Sequence, residues 1–263
     1  EAAGKVIGDP NYRLVASPEE VCTEVLAGNS AEGIFEVCYD DSRGEYKDFG
    51  SYIGGTVEKW PVLKGTTPAS RRKFFIRNGT VERLYTPEDL RLQAYFADFF
   101  RMKEEPVSVT QGAAYIRMWR EVEYYLGGIY DGTPRTLLAN DILIRLPDIL
   151  LLRAEMKAAT GDREGAVADL DVVRRRAGVA GYSESEGDLR RAVQLERDRE
   201  LLFQTGVRYF DYMRNHAYNL LKGGFRDLTE ADVAAGALFL PVSLDAMNNN
   251  PKVKQTAYWV GKF

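Results

Sequence analysis

Ile149-Leu-Leu-Leu-Arg-Ala-Glu-Met-Lys-Ala-Ala-Thr-Gly-Asp-Arg-Glu-Gly-Ala-Val-Ala-Asp-Leu-Asp-Val-Val-Arg-Arg-Arg-Ala177 is the stretch on which the fold turns. Ile149, Leu152, Met156 and Ala159 recur at helical spacing, Gly161-Asp162 interrupts, and Ala166, Leu170, Val173 and Ala177 form a second stripe at the same period. Two antiparallel helices joined by a tight turn are predicted, with Ala154 and Ala166 small enough for close approach. That is the unit of a tetratricopeptide-type repeat, and a single such hairpin cannot bury its apolar face alone. Neighbouring helices must come from elsewhere in this chain or from sequence preceding it.

Working outward, the spacing predicts a third helix over about 189–215, with Leu189, Val193, Phe203, Val207 and Phe210 on one stripe. Glu196 and Glu200 fall on that stripe. Two carboxylates four residues apart on an apolar face repel each other unless cations neutralise them, and Arg174, Arg175 and Arg176 close the preceding helix. A buried lock of Arg174 and Arg176 on Glu196 and Glu200 is expected. The alternative is a glycosidase-like acid pair, which needs one carboxyl of raised pKa facing a cleft.

Toward the N-terminus, Ser17-Pro18-Glu19-Glu20 supplies a cap, a proline at the first helical position and an acid three residues after the cap, and Gly28 marks a stop. Thr86-Pro87-Glu88-Asp89 repeats this grammar, but Leu90 to Met102 has no clean period and fits helix or extended chain. Ile34 to Tyr39, Lys73 to Arg77 and Tyr115 to Arg120 read as short strands. Strand is expected only in the first half, with helix from Asp141 onward. Glu1 to Ile7 reads as the last turns of a helix entered from upstream.

Composition narrows the chemistry. With 263 residues, 45% hydrophobic and 28% charged, the chain has globular usage, as one large domain or two small ones at about 100–200 residues each. The net charge of −4, with no basic stripe, argues against nucleic acid as a partner. His216 is the one histidine, so an imidazole zinc site is excluded and any Ser-His or Cys-His relay must pass through it. Its position at the C-terminal end of the third helix suits a cap on the helix dipole. Cys22 and Cys38 lack Cys-x-x-Cys spacing, and two buried thiols are favoured over a pair. Asp40-Asp41-Ser42 lacks the spacing of a calcium loop, so no metal is indicated. No apolar run reaches the roughly 18 residues that span a bilayer.

Four motifs occur in order in the C-terminal half. They are Asn140-Asp-Ile-Leu-Ile-Arg-Leu-Pro-Asp-Ile-Leu-Leu-Leu-Arg-Ala-Glu155, then Val173-Arg-Arg-Arg-Ala-Gly178, then Glu196-Arg-Asp-Arg-Glu-Leu201 with Arg208-Tyr-Phe-Asp211 and Arg214. The last is Leu240-Pro-Val242 with Asn250-Pro251, Gln255 and Tyr258. In these the chain resembles the SusD/RagB family, surface lipoproteins that capture nutrients for TonB-dependent outer-membrane transporters of Bacteroidetes. Weaker similarity runs back through Asp89-Leu-Arg91 and Glu32-Gly-Ile-Phe-Glu-Val37. Gln204-Thr-Gly206 and Thr256-Ala257 depart from the pattern and bear on local packing.

The resemblance implies a mostly α, SusD-like fold with one tetratricopeptide-type hairpin, long loops and minor β elements. Residues 1–263 would be the C-terminal domain of a longer protein whose N-terminal half, with its lipidated cysteine, lies outside this sequence. It implies non-catalytic binding of an oligosaccharide, with no cofactor, for delivery to a SusC-like TonB-dependent transporter. The location implied is the surface of the outer membrane, reached through that lipid anchor. The alternatives are a peptide-binding RagB-like uptake protein and a helical-repeat module that binds a protein helix.

Motifs of this kind are scaffold, so the ligand must be sought elsewhere. A pyranose presents an apolar C–H face, which flat aromatic rings cover, and hydroxyls, which charged and amide groups hold. Tyr46, Phe49, Tyr52 and Trp60 lie among Asp48, Lys59 and other charges in the glycine-interrupted stretch 39–65 and are the candidate contacts. The competing reading is that these rings cover a satellite core under a long loop. Tyr115, Trp119, Tyr124, Tyr125 and Tyr130 fit a packed strand and its surroundings better than a site, and Trp259 fits an anchor for the tail.

Overall fold

A computed structural model describes residues 1–39, 43, 76–107, 112–118, 124–125, 136–137, 140–204, 207–217 and 228–262. The chain divides into two compact units, Glu1–Thr205 and Gly206–Phe263. In the first, α1 (Ala2–Ile7) is followed by α2 (Pro18–Thr23), whose start is as expected: Ser17 Oγ accepts the N–H of Glu20, and the Glu20 carboxylate returns to the N–H of Ala16. A 3₁₀ turn at Val25–Ala27 then runs into Gly28 at φ 100°, where the helical path stops. Strand β1 (Gly33–Val37) follows.

Beyond residue 75 come β2 (Ile76–Arg77), α3 (Asn78–Leu84), α4 (Leu90–Tyr95) and α5 (Phe99–Met102). The ambiguous Leu90–Met102 segment is therefore two short helices, capped by Asp89 and not by Thr86. They break at Phe96, which bridges to Ile116, and at Asp98, which has φ 45°. Tyr95 and Phe96 are both fully buried, and Phe96 is the extended C-cap of α4, at φ −127° and ψ 138°. The strand expected at Tyr115–Arg120 is displaced to β3 (Ala113–Ala114), paired with β2, while Tyr115, Ile116 and Met118 enter the core as irregular chain. Trp119, Arg120 and Tyr130 lie outside the described residues. A small ribbon, β4 (Tyr124–Tyr125) with β5 (Thr136–Leu137), precedes β6 (Asp141–Arg145).

Strand β6 corrects the expectation of helix from Asp141 onward. A five-residue stretch with three consecutive aliphatics, two of them β-branched, carries no period that separates strand from helix. Here it pairs antiparallel with β1, Gly33 opposite Arg145 and Val37 opposite Asp141, with a local slip at Phe35. The hairpin then forms from α6 (Leu146–Thr160) and α7 (Arg163–Arg176), with Pro147 in the first turn of α6 and Gly161 turning the chain at φ 89°. On α7 the predicted stripe is fully buried. On α6 the buried face is instead Leu146, Leu150, Leu151 and Ala154, and Met156 is 49% exposed. Four consecutive aliphatics surround that helix, so its own sequence could not select the inner face. Asp169 on α7 pairs with Arg153 and Lys157 of α6 at 2.7 and 3.0 Å.

The third helix is also shorter than predicted. Helix α8 (Leu189–Glu200) ends in a turn in which Phe203 takes φ 60°, and α9 (Val207–Arg214) starts anew. Thr205 and Gly206 between them are weak helix formers. Leu189, Ala192 and Val193 join the core of the hairpin, whereas Leu202 joins a second core built on Val21, Tyr95, Phe96 and Met118. Glu196 and Glu200 therefore lie on α8 between two apolar clusters. Cys22 is buried in the second core, where its thiol donates to the Ala94 carbonyl at 3.4 Å, and Cys38 is exposed, so the expected burial holds for one thiol only.

The second unit contains α9, α10 (Glu230–Ala234), capped by Thr229 and Asp232, and α11 (Leu244–Asn249), capped by Ser243. The Gln255 amide brackets Val242, accepting its N–H at 3.1 Å and donating to its carbonyl at 3.0 Å. Trp259 Nε1 donates to the Phe239 carbonyl at 2.7 Å, the anchoring role expected of it. His216 is exposed, two residues past α9, with φ 51°.

Candidate functional site

The predicted lock exists and is larger than its sequence signal. Glu196 is fully buried, accepting from Arg91 at 2.6 Å and from Arg174 Nε at 3.2 Å. Glu200, equally buried, accepts from Arg145 at 2.7 Å and from Arg176, with Arg91 at 3.4 Å. Arg175, the middle residue of the basic run, is exposed and takes no part in these pairs. Arg145 also donates to Glu32 at 2.9 Å and, through Nε, to Gln204 at 2.7 Å, and Arg176 donates to Glu32 as well. Asp89 holds Arg91 from the side at 2.7 Å, and Glu186 grips Arg174 with two bonds of 2.8 Å.

At the centre, Arg91, Arg145, Arg174 and Arg176 face Glu32, Asp89, Glu196 and Glu200, and at the rim Arg199, 3.2 Å from Glu196, offsets Glu186, so the formal charge sums to zero. Neutrality and multiple hydrogen bonds per ion are the conditions under which buried charge is tolerated. Burial pushes the Glu200 carboxyl up, but Arg176, Arg145 and Arg91 outweigh it and hold the group down at about 2. Burial likewise opposes the charge on Arg91, and Glu196 and Asp89 push its guanidinium well above the usual range. A general acid needs the opposite shift and an open face. Glu196 and Glu200 are thus an architectural pair, and the acid-pair alternative is withdrawn.

The network ties five segments together: the residue before β1, the cap and first turn of α4, the end of β6, the last turn of α7, and α8. Sequence reasoning missed Arg145, Arg91, Glu32, Asp89 and Gln204. The available signal was a lone charge in an apolar run, Ile142-Leu-Ile-Arg-Leu-Pro147, and the acid–base spacing of Asp89-Leu-Arg91. Neither states a partner, because partners lie 113 residues apart in the Arg145–Glu32 pair and 144 in the Arg176–Glu32 pair.

The candidate ligand contacts Tyr46, Asp48, Phe49, Tyr52, Lys59 and Trp60 lie outside the described residues. What the structure does define is the frame that bears them. The chain leaves β1 at Val37, which lies opposite Asp141, and returns at Ile76, which lies opposite Ala114. The ends of this segment are thus held in paired strands, the first of them on the ribbon whose base carries Glu32 and Arg145.

The family model described as the SusD family matches residues 65–259. The chain belongs to the SusD family. A SusD homologue of Bacteroides thetaiotaomicron superposes with a TM-score of 0.77 at 24% identity, covering 98% of this chain and 53% of that one. Surface glycan-binding protein A from Bacteroides thetaiotaomicron, in complex with laminarihexaose, gives 0.70 at 19% identity, covering 97% and 58%. The corresponding protein of Bacteroides uniformis gives 0.67 at 21%, covering 97% and 55%. No curated protein matches. The chain spans little more than half the length of these solved structures, which share with it the SusD-like helical fold. Among the described residues no helix is long and apolar enough to cross a membrane.

Proposed function

We propose that this SusD family chain is part of a non-catalytic surface protein that binds an oligosaccharide and passes it to a TonB-dependent transporter, held at the outer membrane by a lipid anchor. Tyr46, Phe49, Tyr52 and Trp60 form the stacking surface in this reading, with Asp48 and Lys59 holding hydroxyls. The observation that carries it is family membership together with a fold shared with a glycan-binding protein solved in complex with laminarihexaose. The ionic network supports it from within this chain, because it holds Glu32, Asp89, Glu196 and Glu200 in scaffold, opposed by arginines and not free to act as an acid pair.

Isothermal titration against a panel of oligosaccharides, laminarihexaose included, tests the reading. Binding of at least one glycan is expected, with Trp60→Ala weakening it about tenfold, as loss of one stacking ring implies. Heat from a peptide pool and none from any glycan would transfer the role to peptide capture. Glycan hydrolysis by the purified chain would overturn the non-catalytic reading.

A further inference from the structure

Three buried hydrogen-bond donors in and around the Arg145–Glu200 pair have no partner among the described residues: Tyr95 Oη, Arg176 Nε and Gln204 Nε2. All three side chains are buried. Their other bonds bring them to one place. The Gln204 carbonyl oxygen accepts from Arg145 Nε at 2.7 Å, which orients the amide and leaves its NH2 group as a donor. Arg176 puts its two terminal nitrogens on Glu32 and on Glu200 Oε1, the same oxygen that takes Arg145 at 2.7 Å, so its Nε–H is separated from that meeting point only by the guanidinium carbon. Tyr95 feels the charges of Glu200, Arg145 and Arg176 together, and burial, reinforced by Glu200, holds its phenol well above the usual range. The hydroxyl therefore keeps its proton and needs an acceptor.

The same cluster holds an oxygen with lone pairs to spare. Glu200 Oε2 meets Arg91 at 3.4 Å, a long bond for a carboxylate oxygen that has room for closer donors. Unpaired donors beside an under-used acceptor call for a group that both accepts and donates. Water does both, and interior water makes about three hydrogen bonds to groups of this kind. A halide ion only accepts, so it would leave Glu200 Oε2 as it is and would add a negative charge to a cluster whose formal charge is zero. Bare donors are the third possibility, and native interiors pair nearly all such groups.

We propose that the arginine network contains a binding site for an ordered internal water beside Glu200, which accepts from Tyr95 Oη and Gln204 Nε2 and donates to Glu200 Oε2. The site is independent of what the protein binds at its surface. It makes the Tyr95 hydroxyl a member of the network, although no protein group reaches it. Urea unfolding of Tyr95→Phe tests this, because the sign of the effect separates the cases. A hydroxyl held by water is missed when removed, and the unfolding equilibrium constant should rise about tenfold. A bare hydroxyl carries only its desolvation penalty, and an unchanged or smaller constant in Tyr95→Phe overturns the site. Magnetisation transfer from water to the Gln204 side-chain amide of the 15N-labelled chain gives a direct reading. A cross-peak with the sign of a long-lived water is expected in the wild type and should be lost in Tyr95→Phe, and its absence from the wild type overturns the site. Exchanging chloride for fluoride at constant ionic strength should leave the wild-type urea midpoint in place. A midpoint that rises with chloride alone assigns the donors to a halide and overturns water as the ligand.

Discussion

Replacing Glu200 by Gln keeps the shape of a fully buried side chain and removes one negative charge from a neutral cluster. Arg145, at 2.7 Å, and Arg176 then face an uncharged amide, and the four central arginines are opposed by three acids. Breaking a buried pair in this way costs about 3–5 kcal/mol, because the remaining charge stays desolvated. At this chain length that is a fall in Tm of about 10 °C. The pH dependence supplies a second magnitude. Glu200 titrates at about 2 when folded against an ordinary 4.5, so its contribution is fully present above pH 4.5 and is lost as pH falls through about 2. That window holds about 3 kcal/mol. Urea unfolding at pH 7 and pH 3 reads both. The gap between wild type and Glu200→Gln should narrow by about 2 kcal/mol at the lower pH. Adding Arg176→Gln restores neutrality, and the double variant should cost less than the sum of the singles by about 1 kcal/mol or more. A Glu200→Gln cost under about 1 kcal/mol, with the same acid dependence as wild type, would refute the claim that this network carries the architecture.

Two further outcomes check the packing. Ala166→Leu forces three additional heavy atoms into a fully closed hairpin interface and should destabilise by about 1–3 kcal/mol, whereas Met156→Lys on the exposed face of α6 should stay within about 0.5 kcal/mol, both read by urea midpoint. With Ellman's reagent Cys38 should react promptly in the native chain, and Cys22 only on unfolding in denaturant. Rapid native reaction of both thiols would mean that the core around Val21 and Tyr95 is open.

The hairpin was legible because its turn and caps are local. Gly161 at the turn, Asp162 as the cap and the strict Ala166-Leu170-Val173 stripe act within a few residues of one another. The acid pair was legible for the same reason, two carboxylates one helical turn apart on an apolar stripe that could not stay unpartnered. The SusD family motifs were readable because they mark these same scaffold positions. The inner face of α6, the strand at Asp141–Arg145 and the end of α8 at Glu200 were not readable, since each is set by what packs against it from elsewhere in the chain. Equally, only the fold could bring Glu32 and Arg145 to Glu200. Charge balance in a dry interior is a sum over groups that meet in space, and sequence order records only the groups that meet along the chain.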